Sequence, residues 1–266
     1  MAAGSILNNI SAINASRTLG VTQSGLEKTI QRLTTGARIN KASDDAAGLA
    51  ISNRLGADIR VSAQARRNAY DGIAYLQVGD GALEEVTALL TRAAELTQQA
   101  ATGTISASNR EAINLEFKVI TDAINNVAAN ATFNATTIFV TDKLEVAVAG
   151  YEKIAITIGT MTFNLSGHDV KTVSGADTAA KYIDQALQSV SMQRASIGSS
   201  QQSLNTLANT LGIQVENFTA ASSQIKDANI ADEVISLTKF QILTQSGTSA
   251  LGQSNQAAQS ILGLIR

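Results

Sequence analysis

No proline occurs anywhere in the 266-residue chain, where average usage of about 5% would place roughly 13. Proline fixes φ and removes a backbone donor. Its absence leaves no imposed kink and no X-Pro isomer to sort during folding. Such a chain is free to run in long, uninterrupted helices.

The periodicity uses that freedom. Stepping by 4 and 3 from Ile183 gives Leu187, Val190, Arg194, Ile197, Gln201, Leu204, Ala208, Leu211, Val215, Phe218, Ser222 and Ile225, and ten of these 13 positions are apolar. This is a sustained a/d heptad seam. A helix over 183–225 would be roughly 64 Å long and needs a partner of similar length. Upstream, Leu55, Ile59, Ala69, Ile73, Leu76, Leu83 and Leu90 share one such frame, with Ser62, Arg66, Asp80 and Thr87 as its polar members. Asp71-Gly72 and Asp80-Gly81 would ordinarily mark turns. The frame runs through both, so the expectation is one helix with weak spots. Ser108 with Glu111 reads as a capping box for a shorter helix striped by Ile113, Phe117, Ile120, Ile124 and Val127.

In the middle the period changes to two. Leu144, Val146 and Val148 alternate with polar residues, as do Ile154, Ile156 and Ile158, then Met161, Phe163 and Leu165. Gly150 and Gly159-Thr160 stand between them, which predicts a small β-hairpin region within about 136–175. The expected fold is therefore mainly α. It is a long antiparallel helical rod or coiled-coil bundle, with a small β-hairpin region in the middle and the termini together at one end.

Both ends carry narrow apolar stripes: Ile6, Ile10 and Ile13, then Leu26, Ile30 and Leu33; near the C-terminus Ile230, Val234 and Leu237, then Ala257, Ile261 and Ile265. The remaining faces are Asn, Gln, Ser and Thr. Short helices of this kind are marginal alone, so the ends are expected to order only against each other and against neighbouring subunits.

Composition removes most chemistry. There is no cysteine and a single histidine, His168, so thiol catalysis, disulfides and multi-histidine metal sites are not available to one chain. His168 lies in a Gly-His-Asp segment, and a surface loop is the plainer reading of it. The net charge of −2 makes no case for nucleic acid or an anionic membrane. No stretch approaches the length of a membrane span. The first residues lack the cationic and apolar regions of a cleaved secretory signal. That fits a cytoplasmic chain or export by a route needing no such signal. No cofactor, metal or catalytic residue is expected.

Longer blocks then carry a resemblance. Gln31-Arg-Leu-Thr-Thr-Gly-Ala-Arg-Ile-Asn-Lys-Ala-Ser-Asp-Asp-Ala-Ala-Gly-Leu-Ala-Ile51, Arg67-Asn-Ala-Tyr-Asp-Gly-Ile73 with Gln77, and Gly81-Ala-Leu83 are similar to the N-terminal half of bacterial flagellins. Ala228-Asn-Ile-Ala-Asp-Glu233, Gln241-Ile-Leu-Thr-Gln-Ser-Gly247 and Asn255-Gln256 with Leu264-Ile-Arg266 resemble the C-terminal half. One departure is Asn255-Gln-Ala-Ala-Gln259, where the family usually has Pro at the fourth position; Ala continues a helix that Pro would interrupt.

The resemblance implies a structural, extracellular subunit that polymerises into the flagellar filament, exported without a cleaved signal peptide. Segments 1–41 and 226–266 would form the terminal coiled coil lining the filament core, and 42–225 the helical outer-tube layer. Expected partners are further copies of the chain, an export chaperone and the type III flagellar export apparatus, and hook-associated and cap proteins. Ser43 could cap a helix with Asp44 and Asp45 in its first turn, while Ala46, Ala47, Gly48 and Ala50 allow close approach. Asp44 and Asp45 against Arg38, Arg54 or Arg60 of neighbours are expected lateral contacts. Arg92, Leu96 and Glu116 match the face that a Toll-like receptor recognises, although Ala94, Thr97 and Gln98 depart from the commonest pattern.

Rival readings are a metallopeptidase-bearing relative, which one histidine excludes, a cytoplasmic scaffold that would stop at a dimer or tetramer, and a hook–filament junction protein with the same terminal architecture.

Overall fold

The computed structural model describes residues 9–139, 144–149, 152–156, 158–161, 163 and 167–264. Five helices account for most of them: α1 (Ile10–Thr35), α2 (Ala46–Ala101), α3 (Ala107–Asn130), α4 (Val173–Lys226) and α5 (Ile230–Leu264). Between α3 and α4 lie four short strands, β1 (Thr132–Phe133), β2 (Thr136–Thr137), β3 (Leu144–Ala149) and β4 (Glu152–Ile156). The chain is mainly α with a small hairpin region, as its periodicity implies. It divides into two compact units, one of residues 1–58 with 217–266 and one of residues 59–216.

The 59–216 unit has a continuous core. The a/d frames meet there: Ala69, Leu76, Leu83 and Leu90 of α2 are buried with Ile183, Val190, Ile197 and Leu204 of α4 and Phe117 and Ile124 of α3. Two polar members of the frames are also partners. The Arg194 guanidinium donates to both carboxylate oxygens of Asp80, at 2.8 and 3.3 Å, a bidentate geometry stronger than a single contact.

Neither Asp-Gly pair breaks α2. Gly72 is the reason at the first: a Cβ there would lie 3.0 Å from the Val146 side chain and 3.1 Å from that of Leu204. The missing side chain is a packing requirement rather than a turn signal. Nothing lies within 4 Å of such an atom at Gly81.

The hairpins sit on α2. β3 and β4 pair antiparallel with Val146 opposite Ile154, and a bulge falls between Ala147 and Ala149. Asn68 donates from Nδ2 to the Ala147 carbonyl at 3.1 Å, and the Tyr75 hydroxyl donates to the Ile138 carbonyl at 3.3 Å. Among the described residues the expected third strand is not seen. Met161 and Phe163 lie outside any strand, and Leu165 and Gly150 fall outside the described residues. Alternation reports which side chains are buried, and Ile158 and Phe163 are buried without a ladder.

Two helix starts differ from expectation. α3 is capped by Ser106, which accepts from the Asn109 amide at 3.3 Å; Ser108 lies inside the helix. The Arg110 side chain explains the early start. It is buried and donates to the carbonyls of Ala100 (2.8 Å), Thr102 (3.3 Å) and Ile105 (3.2 Å). A guanidinium thus satisfies the C-terminal carbonyls of α2 and fixes the tight α2–α3 connection. α4 begins ten residues before its apolar seam, where Thr172 accepts from the Gly175 amide at 3.0 Å.

Leu204→Ala opens a cavity beside Gly72 and is expected to destabilise the 59–216 unit by about 2–5 kcal/mol. Gly81→Ala meets open space and is expected to raise stability by up to about 1 kcal/mol. Thermal unfolding followed by circular dichroism separates the two.

Candidate assembly surface

In the unit of 1–58 with 217–266, α1 packs antiparallel on α5. Asn9 caps α1, accepting from the Ala12 amide at 3.1 Å, and its Nδ2 donates to the Ser254 carbonyl at 3.1 Å. Arg32 near the end of α1 meets Glu233 near the start of α5 at 3.2 Å, with the glutamate largely buried. Gly36, in the left-handed conformation at φ 69°, then turns the chain. The Arg38 amide donates to the Lys226 carbonyl at 2.6 Å and the Ala228 amide to the Gly36 carbonyl at 2.9 Å.

The residues that face inward follow a strict 3–4 spacing. On α1 they are Ala12, Ala15, Leu19, Thr22, Leu26, Thr29 and Leu33; on α5 they are Glu233, Leu237, Phe240, Thr244, Gly247, Leu251 and Ser254. All are buried or half-buried. This is a heptad seam made mostly of small or polar side chains. Glycine supplies the fit at its centre: a Cβ on Gly25 would lie 2.7 Å from the Phe240 ring.

Small seam residues leave the large ones outside. Ile10, Ile13, Val21 and Ile30 on α1 are exposed, Val21 by 69%. Ile230, Val234, Ile235, Ile242 and Leu243 on α5 are exposed, Ile242 by 69%. The stripes expected from the sequence are therefore split. Leu26, Leu33 and Leu237 belong to the inward seam. Ile10, Ile13, Ile30, Ile230 and Val234 face solvent, because the seam runs through Ala, Thr and Gly rather than through the bulkiest residues. Ile6 and Ile265 lie outside the described residues, as does the side chain of Ile261.

The Ser43–Ile51 segment also differs from expectation. α2 begins at Ala46, and its cap is Asp45, which accepts from the Gly48 amide at 2.8 Å; Ser43 precedes the cap. Asp44 is not in the helix. It accepts from the amides of Asn40 (3.2 Å) and Lys41 (3.0 Å), and these bonds hold its carboxyl below the ordinary aspartate value. Ala46, Ala47 and Ala50 are exposed, and Gly48 is buried beneath Ile39. Of the arginines expected to meet these acids, Arg38 donates to the Ile225 carbonyl at 2.8 Å within the chain, and Arg54 and Arg60 are exposed.

The expected receptor face is only partly a face. Arg92 and Glu116 are exposed and paired at 2.8 Å, and Arg92 also meets Glu95 at 2.8 Å. Leu96, at 1% exposure, is part of the 59–216 core. It sits on the side of α2 that α3 covers and presents nothing to a partner. Single-sequence reading could not separate the sides there because both neighbours of the stripe are alanine-rich.

Among the described residues no group of three His, Cys, Asp or Glu side chains could hold a metal ion, and no helix is long and apolar enough to cross a membrane. His168 is half-buried and stacks on Tyr182, with ring centroids 3.9 Å apart.

Comparison with known proteins bears on this arrangement. Residues 6–143 match the model of the bacterial flagellin N-terminal helical region and residues 180–265 that of the bacterial flagellin C-terminal helical region. The chain is 37% identical to flagellin FlaB1 of Treponema pallidum, over 98% of this chain and 99% of that one. It is 36% identical to the flagellar filament 33 kDa core protein of Treponema phagedenis, with the same coverage. Among solved structures, Bacillus cereus flagellin superposes with a TM-score of 0.51 at 27% identity, over 59% of this chain and 94% of that one.

Gly25→Val should displace the Phe240 ring and loosen α1 from α5 while leaving the unfolding of the 59–216 unit unchanged. Amide exchange should rise in 10–35 and 230–260 only. Asp44 gives a pH signature. Its folded pKa is depressed, so the loop it clamps is held above the ordinary aspartate value and released as pH falls through the lowered one. Slower exchange of the Lys41 and Asn40 amides than in Asp44→Asn at neutral pH, with the difference vanishing as pH falls through the lowered value, is the expected readout.

Proposed function

Because the chain belongs to the bacterial flagellin family and is a structural subunit of the flagellar filament, we propose that it polymerises through the outward apolar faces of α1 and α5. The observation that carries this is the division of labour on those helices. Eight of the fourteen seam positions are small or polar, and among the described residues nine large aliphatic side chains of α1 and α5 stay exposed. Water-exposed apolar area on that scale favours association. The contact is heterologous: one copy's face meets a different face of the next, and growth remains open.

Residues 1–41 with 226–266 act as the terminal layer lining the filament core, and 42–225 as the outer-tube layer. In the sequence, Ile6, Ile261 and Ile265 continue the apolar stripes of the two ends. Asp44, already oriented by two backbone amides, meets Arg54 or Arg60 of a neighbour; Asp45 is retained by its own helix cap. The subunit travels to the growing tip through the type III flagellar export apparatus. A chaperone covers the apolar face of α5 until then, and hook-associated and cap proteins bound the polymer. The absence of Cys and Pro suits a chain that must refold quickly at the tip.

The chain works by packing rather than catalysis. Its relatives are named as flagellins and a flagellar filament core protein, which favours the filament over the hook–filament junction. Recognition by a Toll-like receptor, if this chain supports it, rests on Arg92 and Glu116 without Leu96.

Ile13→Glu and Ile235→Glu each place a charge where a neighbour would bury it. The critical concentration for seeded polymerisation is expected to rise about tenfold or more, with monomer helicity unchanged. Unaltered polymerisation in both variants would reject the outward faces as the interface. Arg92→Ala, assayed with purified monomer on receptor reporter cells, should lower any signal; a signal indifferent to it removes Arg92 from that role.

A further inference from the structure

The cleft between α2 and the hairpins of the 59–216 unit is a second concave site, separate from the ends that drive polymerisation. It encloses about 400 Å³, within the roughly 300–1,000 Å³ usual for ligand sites. Its floor is apolar and aromatic: Tyr75 and Phe133 meet edge to face with ring centroids 5.8 Å apart, beside Gly72 and Val146.

Polar side chains line it as well: Asn68, Asp71, Asn134, Thr136 and Glu145. Among the described residues no Lys, Arg or His lines the cleft. Asn68 is committed, its Nδ2 to Ala147 and its Oδ1 accepting from Gln64 at 2.9 Å. The Tyr75 hydroxyl is spent on Ile138. Glu145 already holds Lys153 at 2.6 Å. Asp71 is exposed at the rim, one helical turn before Tyr75 and therefore on the same side of α2.

A carboxylate above an aromatic floor fits a flat cation on an apolar stem. A guanidinium donates in a fork to the carboxylate and lies its face on the ring. An ammonium is more strongly hydrated and gains less from the floor.

We propose that this cleft receives an arginine side chain of a second copy of the chain. The proposal rests on the filament reading, which brings copies side by side at a fixed offset. Charge complementarity names the occupant: Arg17, Arg54 and Arg66 are exposed, whereas the described lining of the cleft holds an exposed carboxylate, Asp71, and no cation.

The test uses full-length monomer and N-acetyl-arginine methylamide as probe, with N-acetyl-norleucine methylamide as the stem-only control. Saturable amide shifts confined to 68–75, 133–136 and 145–147 are expected with the arginine probe and not the control. Asp71→Asn, a surface change outside the core, should weaken them about tenfold. Absent shifts, or shifts equal in Asp71→Asn, overturn the site. In seeded elongation the arginine probe should slow growth of the unaltered chain and leave Asp71→Asn unaffected. Binding to the monomer without any effect on elongation overturns the second copy as occupant. A chain that never elongates refutes the filament reading instead, and the monomer titration still decides the cleft.

Discussion

The seam between α1 and α5 packs small side chains against a few large ones, with Gly25 beneath the Phe240 ring and Leu19 against Gly247. That choice determines what the ends of the chain can do. A seam of leucines would satisfy both helices within one subunit and leave nothing for a neighbour. A seam of Ala, Thr, Gly and Ser brings the backbones close, gains less from burial, and turns Ile13, Val21, Ile235 and Ile242 outward. The Asn9 cap that reaches Ser254, the Arg32–Glu233 pair and the strand-like contact at Ala37–Asp227 then fix the register that burial alone would not.

The 59–216 unit follows the opposite rule. Its seam is Leu, Ile and Val on both long helices, its polar members pair with each other, and a buried arginine closes the end of α2. These features give it a continuous core of its own, although Val61, Val78, Leu115, Val119 and Ile213 of this unit are also exposed.

The heptad frames of α2 and α4 were legible from the sequence because large apolar residues mark them, but nothing in it distinguished Asp80 and Arg194, which pair, from the other polar members of the frames. The end helices were legible as helices, but not their orientation. Apolar size pointed to Ile10, Ile30, Ile230 and Val234, whereas the packing follows a 3–4 register carried by Ala12, Thr22, Thr29, Thr244 and Gly247, which hydrophobicity does not weigh. Helix starts were missed for a related reason. Ser106 and Asp45 cap because Arg110 and Ile39 pack nearby, and such tertiary contacts are invisible to a local motif. The same limit applied to Leu96, whose burial depends on α3 covering it.

Hydrogen exchange on the free subunit and on the assembled filament tests the central claim most directly, because it reads order in each helix separately. The account predicts that amides of 10–35 and 230–260 exchange quickly in the monomer and become protected in the filament, while those of 69–100 and 183–211 are protected in both. Equal protection of α1 and α5 in the two states would mean that their seam is sufficient alone, and that assembly does not depend on the faces they turn outward.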